Sequence, residues 1–375
     1  MIMLDYFFDN TQFVIFLIIV ISSLILILYY LSLFRFKTPE SSNTNFNQAI
    51  SIIIAAKNES KNLIENLPLI LNQSYENFEV IVVNDGSYDR TKELLDELAL
   101  THSNLKPIHL KIEEQYQKGK KFALTIGIKA TKNEYLLFTD ADCKPKSDQW
   151  IKHMSEQYLT NDIILGVAPI NTRSNILGSI VSYETFHTAI QYLGYSNRNK
   201  TYMGVGRNLG YKKSVFFENK GFASHQHMMS GDDDLFIQKA SANKKVGFCF
   251  NTESLMYSNA PSSFGKWVKQ KTRHMSTSNE YQFIYKLMLG LYSLSQIIWF
   301  TSTVIFFIVY PKYWYTVIGF IILKWLIQWV IFGKFALKIN AKKIAYALPF
   351  YDILFSLYLI LFGIIKPFIK PKTWN

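Results

Sequence analysis

The sequence predicts an α/β domain with a mixed, mostly parallel sheet, flanked by N-terminal and C-terminal transmembrane helices. Three observations carry that prediction. Long apolar stretches lie at both ends of the chain, at 13–34, 287–311, 313–333 and 344–365. Between them, short β-rich runs alternate with helical stretches, the pattern of a parallel sheet with helical crossovers. Acidic residues gather where those runs end. The length of 375 residues accommodates one domain plus membrane segments. At 49% hydrophobic residues the chain is too oily for disorder. Its two cysteines, Cys143 and Cys249, exclude a disulfide scaffold and a four-cysteine zinc site. The net charge of +12 suits an anionic membrane surface, and no nucleic-acid module accompanies it, so no nucleic-acid partner is expected.

The first segment, 13–34, has no charge and is long enough to cross the ~30 Å hydrocarbon core as a helix. Asp5 and Asp9 precede it, and Arg35 and Lys37 come directly after it. A cleaved signal peptide would be basic on its N-terminal side, so 1–37 reads as a retained anchor. The positive-inside rule then places the next part of the chain in the cytoplasm. Residues 38–48 are a polar linker, 49–280 the α/β domain, and 281–375 a membrane region of about three segments; an interfacial start near Tyr281 is compatible with the first of them. The lysine-rich loop 334–343 is expected in the cytoplasm, but Lys366, Lys370 and Lys372 would then fall outside. Either the last segment re-enters or the rule is broken there. Lys324 and Asp352 sit at similar depth in neighbouring antiparallel segments. Two readings stand side by side: a buried ion pair that clamps the helices, or a snorkelling lysine with a protonated or cavity-facing aspartate.

Within the α/β domain, 49–56 and 78–85 are near-continuous apolar strands, and 106–112 and 134–140 are weaker ones. Residues 60–72, 88–100 and 119–130 are helical by spacing. Ligands of such sheets gather at the carboxyl ends of the strands. There the sequence reads Lys57-Asn58-Glu59, Asn84-Asp85-Gly86-Ser87 and Asp140-Ala141-Asp142. Two carboxylates one residue apart at a strand exit can address one divalent ion, whereas a lone Asp-x-Asp is also a common turn.

These segments, IIIAAKNESKNL, VIVVNDGSYDRT, KGKKFALTIGI and LLFTDADC, resemble in order and spacing the nucleotide-sugar core of family 2 glycosyltransferases with the GT-A fold. The resemblance runs from about Ser51 to His274, and the membrane layout is similar to that of hyaluronan, cellulose and ceramide glucosyl synthases. By position it implies that Asp85 hydrogen-bonds a uracil edge, that Glu59 and the backbone at Ala56 line the base and ribose pocket, and that Lys118 and Lys120 lie near the nucleotide. Asp140 and Asp142 would bind Mg²⁺ or Mn²⁺, with Asp140 also on the donor side. For Lys121 a solvated basic surface competes with a functional role, and Cys143 is given none.

Residues 204–222 resemble the family's acceptor-side segment, which implies acceptor roles for Gly206 and Asn208. The glycine spacing there is wrong for a dinucleotide fingerprint. Asp232, Asp233 and Asp234 resemble the catalytic acid motif. Helix-dipole complementarity would explain one or two of these acids. Alignment on Gly-Asp-Asp selects Asp233 as the base, and alignment on the following Leu-Phe selects Asp234; both are carried. Gln270 and Arg273 match the family's Gln-x-x-Arg-Trp element with His274 in place of Trp, and are expected on the donor diphosphate. Lys266, Lys269 and Lys271 read as a collar for anionic lipid. His225, His227 and His274 lack zinc-site spacing. The expected protein is a multi-pass inner-membrane, cytoplasm-facing inverting glycosyltransferase that takes a nucleotide-sugar to a lipid or glycan acceptor. A sugar nucleotidyltransferase and a non-catalytic membrane scaffold are the alternatives.

Overall fold

A computed structural model describes residues 10–33, 46–111, 119–172, 175–228 and 230–365. They form two compact units. One comprises α1 (Asn10–Leu33) and the helices after Gln282; the other carries the sheet.

The sheet unit opens with β1 (Ile50–Ala56), α2 (Ser60–Leu71), β2 (Phe78–Asn84), α3 (Thr91–Thr101), β3 (Leu105–His109), α4 (Lys120–Ala130) and β4 (Tyr135–Phe138). Next come β5 (Cys143–Pro145), α5 (Trp150–Glu156), β6 (Ile163–Gly166), β7 (Ile170–Asn171), α6 (Ile176–Ser196) and β8 (Leu209–Lys212). The unit closes with α7 (Lys213–Glu218), α8 (Asp234–Ala240), β9 (Val246–Cys249), β10 (Met256–Asn259) and α9 (Phe264–Ser276). The main sheet has the order β3-β2-β1-β4-β8-β6-β9. β3, β2, β1 and β4 are parallel; β8 runs antiparallel to both β4 and β6, and β9 is parallel to β6. A smaller sheet joins β5, β10 and β7. The four parallel strands therefore end on one edge, which is where Ala56, Asp85 and Asp140 lie.

Burial explains the near-continuous apolar runs: Ile50, Ile52, Ile53, Ile54, Val80 and Val82 are all inaccessible to solvent. The polar exception, Ser51, donates to Glu79 Oε1 at 2.6 Å. On α4, a Cβ at Gly127 would lie 2.7 Å from Ile53 Cγ2, so glycine lets the helix approach β1 closely. Boundaries shift where side chains intervene. α3 begins at Thr91 rather than 88, because Asp89 accepts from the backbone of Ser60 and Thr91 and fixes a turn before the helix. β4 ends at Phe138, before a turn closed by Cys143 N–H on the Asp140 carbonyl. The short strands β5 to β10 carry no distinct sequence signal.

The other unit adds α10 (Phe283–Val309), α11 (Trp314–Lys338), α12 (Lys342–Tyr346) and α13 (Leu348–Ile365). Four helical stretches, Asn10–Leu33, Phe283–Val309, Pro311–Lys338 and Leu348–Ile365, are long and apolar enough to cross a membrane. The last expected segment is broken at Ala347 into a short helix and a long one. Polarity is inverted here: Leu28, Ile308 and Ile364 face outward, while Gln296, Lys324, Gln328, Asp352 and Ser356 are completely buried. Of the two readings for Lys324, the ion pair is the one found. Its ammonium contacts Asp352 Oδ2 and lies 3.8 Å from the centre of the Trp299 ring. Gln296 and Gln328 donate to Asp352 Oδ1 at 3.1 and 2.9 Å, and Trp325 Nε1 donates to Oδ2 at 3.2 Å. The lysines at 366, 370 and 372 lie outside the described residues.

Candidate active site

The β1 and β2 ends are joined by a hydrogen bond from Asp85 N–H to the Ala56 carbonyl, 2.8 Å. Beyond it the loops leaving the two strands are laced together. Asn58 N–H donates to Ser87 Oγ, Tyr88 N–H to Asn58 Oδ1, and Glu59 N–H to Thr91 Oγ1, all at 2.9–3.0 Å. Asn58 takes a left-handed φ of 57° to do this, a conformation asparagine tolerates. Ala56 and Asp85 are buried at this junction. Glu59 is carried toward the metal-type acids: burial raises its carboxyl pKa, Asn62 opposes the rise, and the charges of Asp142 and Asp140 add to it.

Asp140 and Asp142 sit on the turn after β4, which Asn66 steadies by donating to the Ala141 carbonyl at 3.3 Å. Ligand atoms of Asp140, Asp142 and Cys143 all lie within 4.8 Å of one another. Burial and the neighbouring Asp140 raise the Asp142 pKa, with the Cys143 hydrogen bond, Arg207 and Lys120 opposing. Two carboxylates crowded on one turn are a donor set suited to a hard divalent cation. The buried Cys143 thiol is pushed well above its ordinary range by burial and the two acids.

The acid trio lies in the same cleft. Lys120, in the first turn of α4, places its ammonium 2.8 Å from Asp140 Oδ1 and 2.9 Å from Asp232 Oδ2. Burial would lower its pKa; Asp140, Asp232 and Asp233 outweigh that and hold it well above the usual lysine value. Burial would raise Asp232, but Lys120 overrides it and keeps that carboxyl ionised below the ordinary range. Asp233 differs. Burial and the flanking charges of Asp232 and Asp234 push it up to about 7, against the pull of Lys120 and the Gly206 N–H. It is half-buried, and it accepts from Gly206 N–H and Asp234 N–H, each at 2.9 Å. Asp234 is buried and committed: it accepts from Thr277 Oγ1, from Tyr281 Oη at 2.9 Å and from Leu235 N–H at 2.7 Å. Gly206 is the close approach that lets these groups meet. A Cβ there would lie 3.2 Å from Lys120 Nζ and 3.5 Å from Asp232 Oδ2.

Not every expected residue joins this cleft. Lys118 lies outside the described residues. Asn208 is fully buried, donates to the carbonyls of Val167 and Ser254 at 2.9 Å, and accepts from Trp150 Nε1 at 3.0 Å. With its amide engaged on both sides it braces Val167, Ser254 and Trp150 beneath the cleft instead of facing into it. Lys121 is no solvated surface charge: it is buried and grips the carbonyls of His225 and Ser230, the latter at 3.1 Å. Lys271 departs from the lipid collar by pairing with Glu184 of α6. Gln270 and Arg273 are half-buried on α9, and Arg273 has no ion pair among the described residues. Sequence reasoning missed Arg207. Its charge bears on Asp142, and its Nη1 donates to Ser258 Oγ at 2.6 Å. The only signal was its place between Gly206 and Asn208.

A family model for glycosyl transferase family group 2 matches residues 153–364, more than half of the chain, and one for glycosyl transferase family 2 matches residues 51–217. The chain belongs to glycosyl transferase family 2. A poly-beta-1,6-N-acetyl-D-glucosamine synthase of Staphylococcus epidermidis is 33% identical over 140 residues, covering 36% of this chain and 32% of that protein. Its counterpart from Staphylococcus aureus (strain COL) is 28% identical over 183 residues, covering 47% and 42%. The matched region of this family 2 member spans only about a third to two fifths of those relatives' length. Its fold is similar to that of a mannosyltransferase from Pyrobaculum calidifontis, solved with GDP-Man and Mn²⁺, at a TM-score of 0.58 and 16% identity over 95% of this chain and 98% of that one. That likeness identifies the fold as GT-A, as the family's sequence segments imply.

Proposed function

We propose that this family 2 member is a membrane-bound inverting glycosyltransferase. It transfers a sugar from a nucleotide donor, UDP-linked by the presence of Asp85, to a hydroxyl of a lipid-linked or glycan acceptor on the cytoplasmic face of the inner membrane. The observation that carries the reading is the single ammonium of Lys120 shared by Asp140 and Asp232, since it brings the strand-tip acids and the later acid trio into one cleft.

The residues divide the work. Asp85, Glu59 and the Ala56 backbone receive the base and ribose. Arg273 offers a planar fork to the diphosphate, with Gln270 beside it. Asp140 and Asp142 would hold Mg²⁺ or Mn²⁺, and the chemistry such an ion would supply is positive charge for the departing diphosphate. Asp233 is the base: it is the half-buried member of the trio, and its pKa near 7 matches proton transfer at neutral pH. It takes the proton of the acceptor O–H. The oxygen bonds to the anomeric carbon, and the bond from that carbon to the diphosphate oxygen breaks, its electron pair leaving with the nucleoside diphosphate. Among the described residues of the cleft, Asp232 is held by Lys120 and Asp234 by Thr277 and Tyr281, so neither is placed to act as a covalent nucleophile and a single displacement with inversion is the reading. Gly206 carries the base through its N–H and leaves room for the acceptor.

The test is a screen of nucleotide-sugars for nucleoside diphosphate release by the protein in lipid nanodiscs, with and without Mn²⁺. Release that requires Mn²⁺ and is lost in Asp142→Asn and Asp233→Asn supports the reading. Pyrophosphate release instead would make it a nucleotidyltransferase, and no turnover with any donor would sink the assignment.

A further inference from the structure

Asp234 stands next to the base yet faces away from solvent. Its Oδ2 accepts from both Thr277 and Tyr281, and its Oδ1 from its own helix at Leu235 N–H. Thr277 and Tyr281 lie on the turn after α9, whose 3₁₀ segment spans Thr277–Glu280. Both are buried, and the Tyr281 ring packs edge-on against Tyr202 at 6.0 Å. Earlier along the helix, α9 is held again by the largely buried Lys271–Glu184 ion pair, and one turn before that by buried Trp267. By helical spacing Gln270, Arg273 and His274 share a face with Thr277. His274 lies in the field of Lys271, Arg273, Arg207 and Lys120, the last being the lysine that bridges the acids.

We propose that Asp234 is a positioning residue: by holding Thr277 and Tyr281 it fixes α9, and with it Gln270 and Arg273, in register with the base Asp233. An alanine at 234 would leave the buried Tyr281 hydroxyl without this acceptor and Thr277 with only the His274 carbonyl, 2.8 Å away, so the end of α9 would lose its tie to the acid segment. A carboxylate accepts two O–H bonds on one oxygen more strongly than an amide does. The same charge reaches Asp233. The ionisable groups around Asp233 are Asp232 and Asp234 on its own segment, Lys120 on α4, Lys121 beside Asp232 and Asp234, and Tyr281 against Asp234. Removing the Asp234 charge therefore lowers the Asp233 pKa, and weakening its hydrogen bonds acts in the same direction by letting Asp234 take up a proton.

The inference rests on the glycosyltransferase reading and is tested separately from it. Asp234→Asn, Tyr281→Phe and Thr277→Val are assayed in nanodiscs with UDP-N-acetylglucosamine and GDP-mannose as donor probes, with melting curves to confirm folding. The expected result is retained but weakened turnover, with the donor KM raised about 10-fold from a shift of the Arg273 segment. The acid limb of the rate profile should move to lower pH in all three. Tyr281→Phe keeps the ring packing, so it reads the hydrogen bond alone. Wild-type KM and pH profiles in Tyr281→Phe and Asp234→Asn overturn the positioning role. An Asp234→Asn protein that binds donor normally but is as inactive as Asp233→Asn overturns it too, making Asp234 the base. A wild-type protein inert toward every donor removes the parent reading instead; the positioning role then stands or falls on whether Tyr281→Phe weakens binding of UDP.

Discussion

Asp140 and Asp232, from distant parts of the sequence, meet on one atom: the Nζ of Lys120 lies within 3 Å of a carboxylate oxygen of each. This ammonium offsets the mutual repulsion of the acids that crowd around it. It also pulls the Asp233 pKa down. Lys120→Met should therefore lower kcat/KM about 100-fold, a loss typical of removing a fixed charge from a site. Its remaining activity should need a higher pH than wild type, because Asp233 then titrates higher. Steady-state rates across pH check both statements, and an unchanged profile would separate Lys120 from the base.

With Asp233 as the proposed base, its ionisation should set the pH response. Its carboxyl, held up to about 7 by burial and by Asp232 and Asp234, is an inactive acid below that value and a competent base above it. The ratio kcat/KM should rise through about pH 7 with rising pH, because it reports the ionisation of the free enzyme. Because the three aspartates interact, the observed midpoint belongs to the trio. Asp233→Asn should lose about 100-fold or more at every pH. A wild-type profile that stays flat from about pH 5.5 to about 8.5 would contradict this role.

Asn208 illustrates stability rather than chemistry. Asn208→Ala leaves two carbonyls and the Trp150 indole N–H without their partner inside the core. Each unanswered group costs about 1–3 kcal/mol. The melting temperature of the sheet unit should fall by several degrees, readable by calorimetry. An Asn208→Ala protein that melts like wild type but has a raised acceptor KM would restore the acceptor role.

Lys324 and Asp352 give a test in the helical unit. Either single change, Lys324→Met or Asp352→Leu, should destabilise it by about 3–5 kcal/mol, because a buried charge is left alone. The exchange Lys324→Asp with Asp352→Lys should recover part of that loss. Equal melting of the exchange and the single variants in nanodiscs would show that the pair contributes nothing.

Strand ends, the paired acids and the four apolar helices are legible in the sequence because each leaves a local mark: continuous apolar runs, charge at a strand exit, and length without charge. Asn208 and Lys121 are not. Their chemistry is decided by carbonyls contributed from elements far along the chain, which no spacing rule records. The choice between Asp233 and Asp234 stays open in the letters for the same reason. Two alignments are compatible with them, the one on Leu-Phe favouring Asp234 slightly, while Thr277 and Tyr281, which occupy Asp234, lie beyond the acid segment. Arg207 is hidden in a glycine-rich stretch where only Gly206 and Asn208 match a family element.

The Lys324–Asp352 contact also orders events at the ribosome. Lys324 is synthesised first, and its only carboxylate partner among the described residues arrives with the last long helix. Until then, α11 in a bilayer would carry an ammonium whose natural refuge is the lipid headgroups. Translation of α13 would supply the counter-charge that draws it inward, and on that reasoning the two helices would mature jointly.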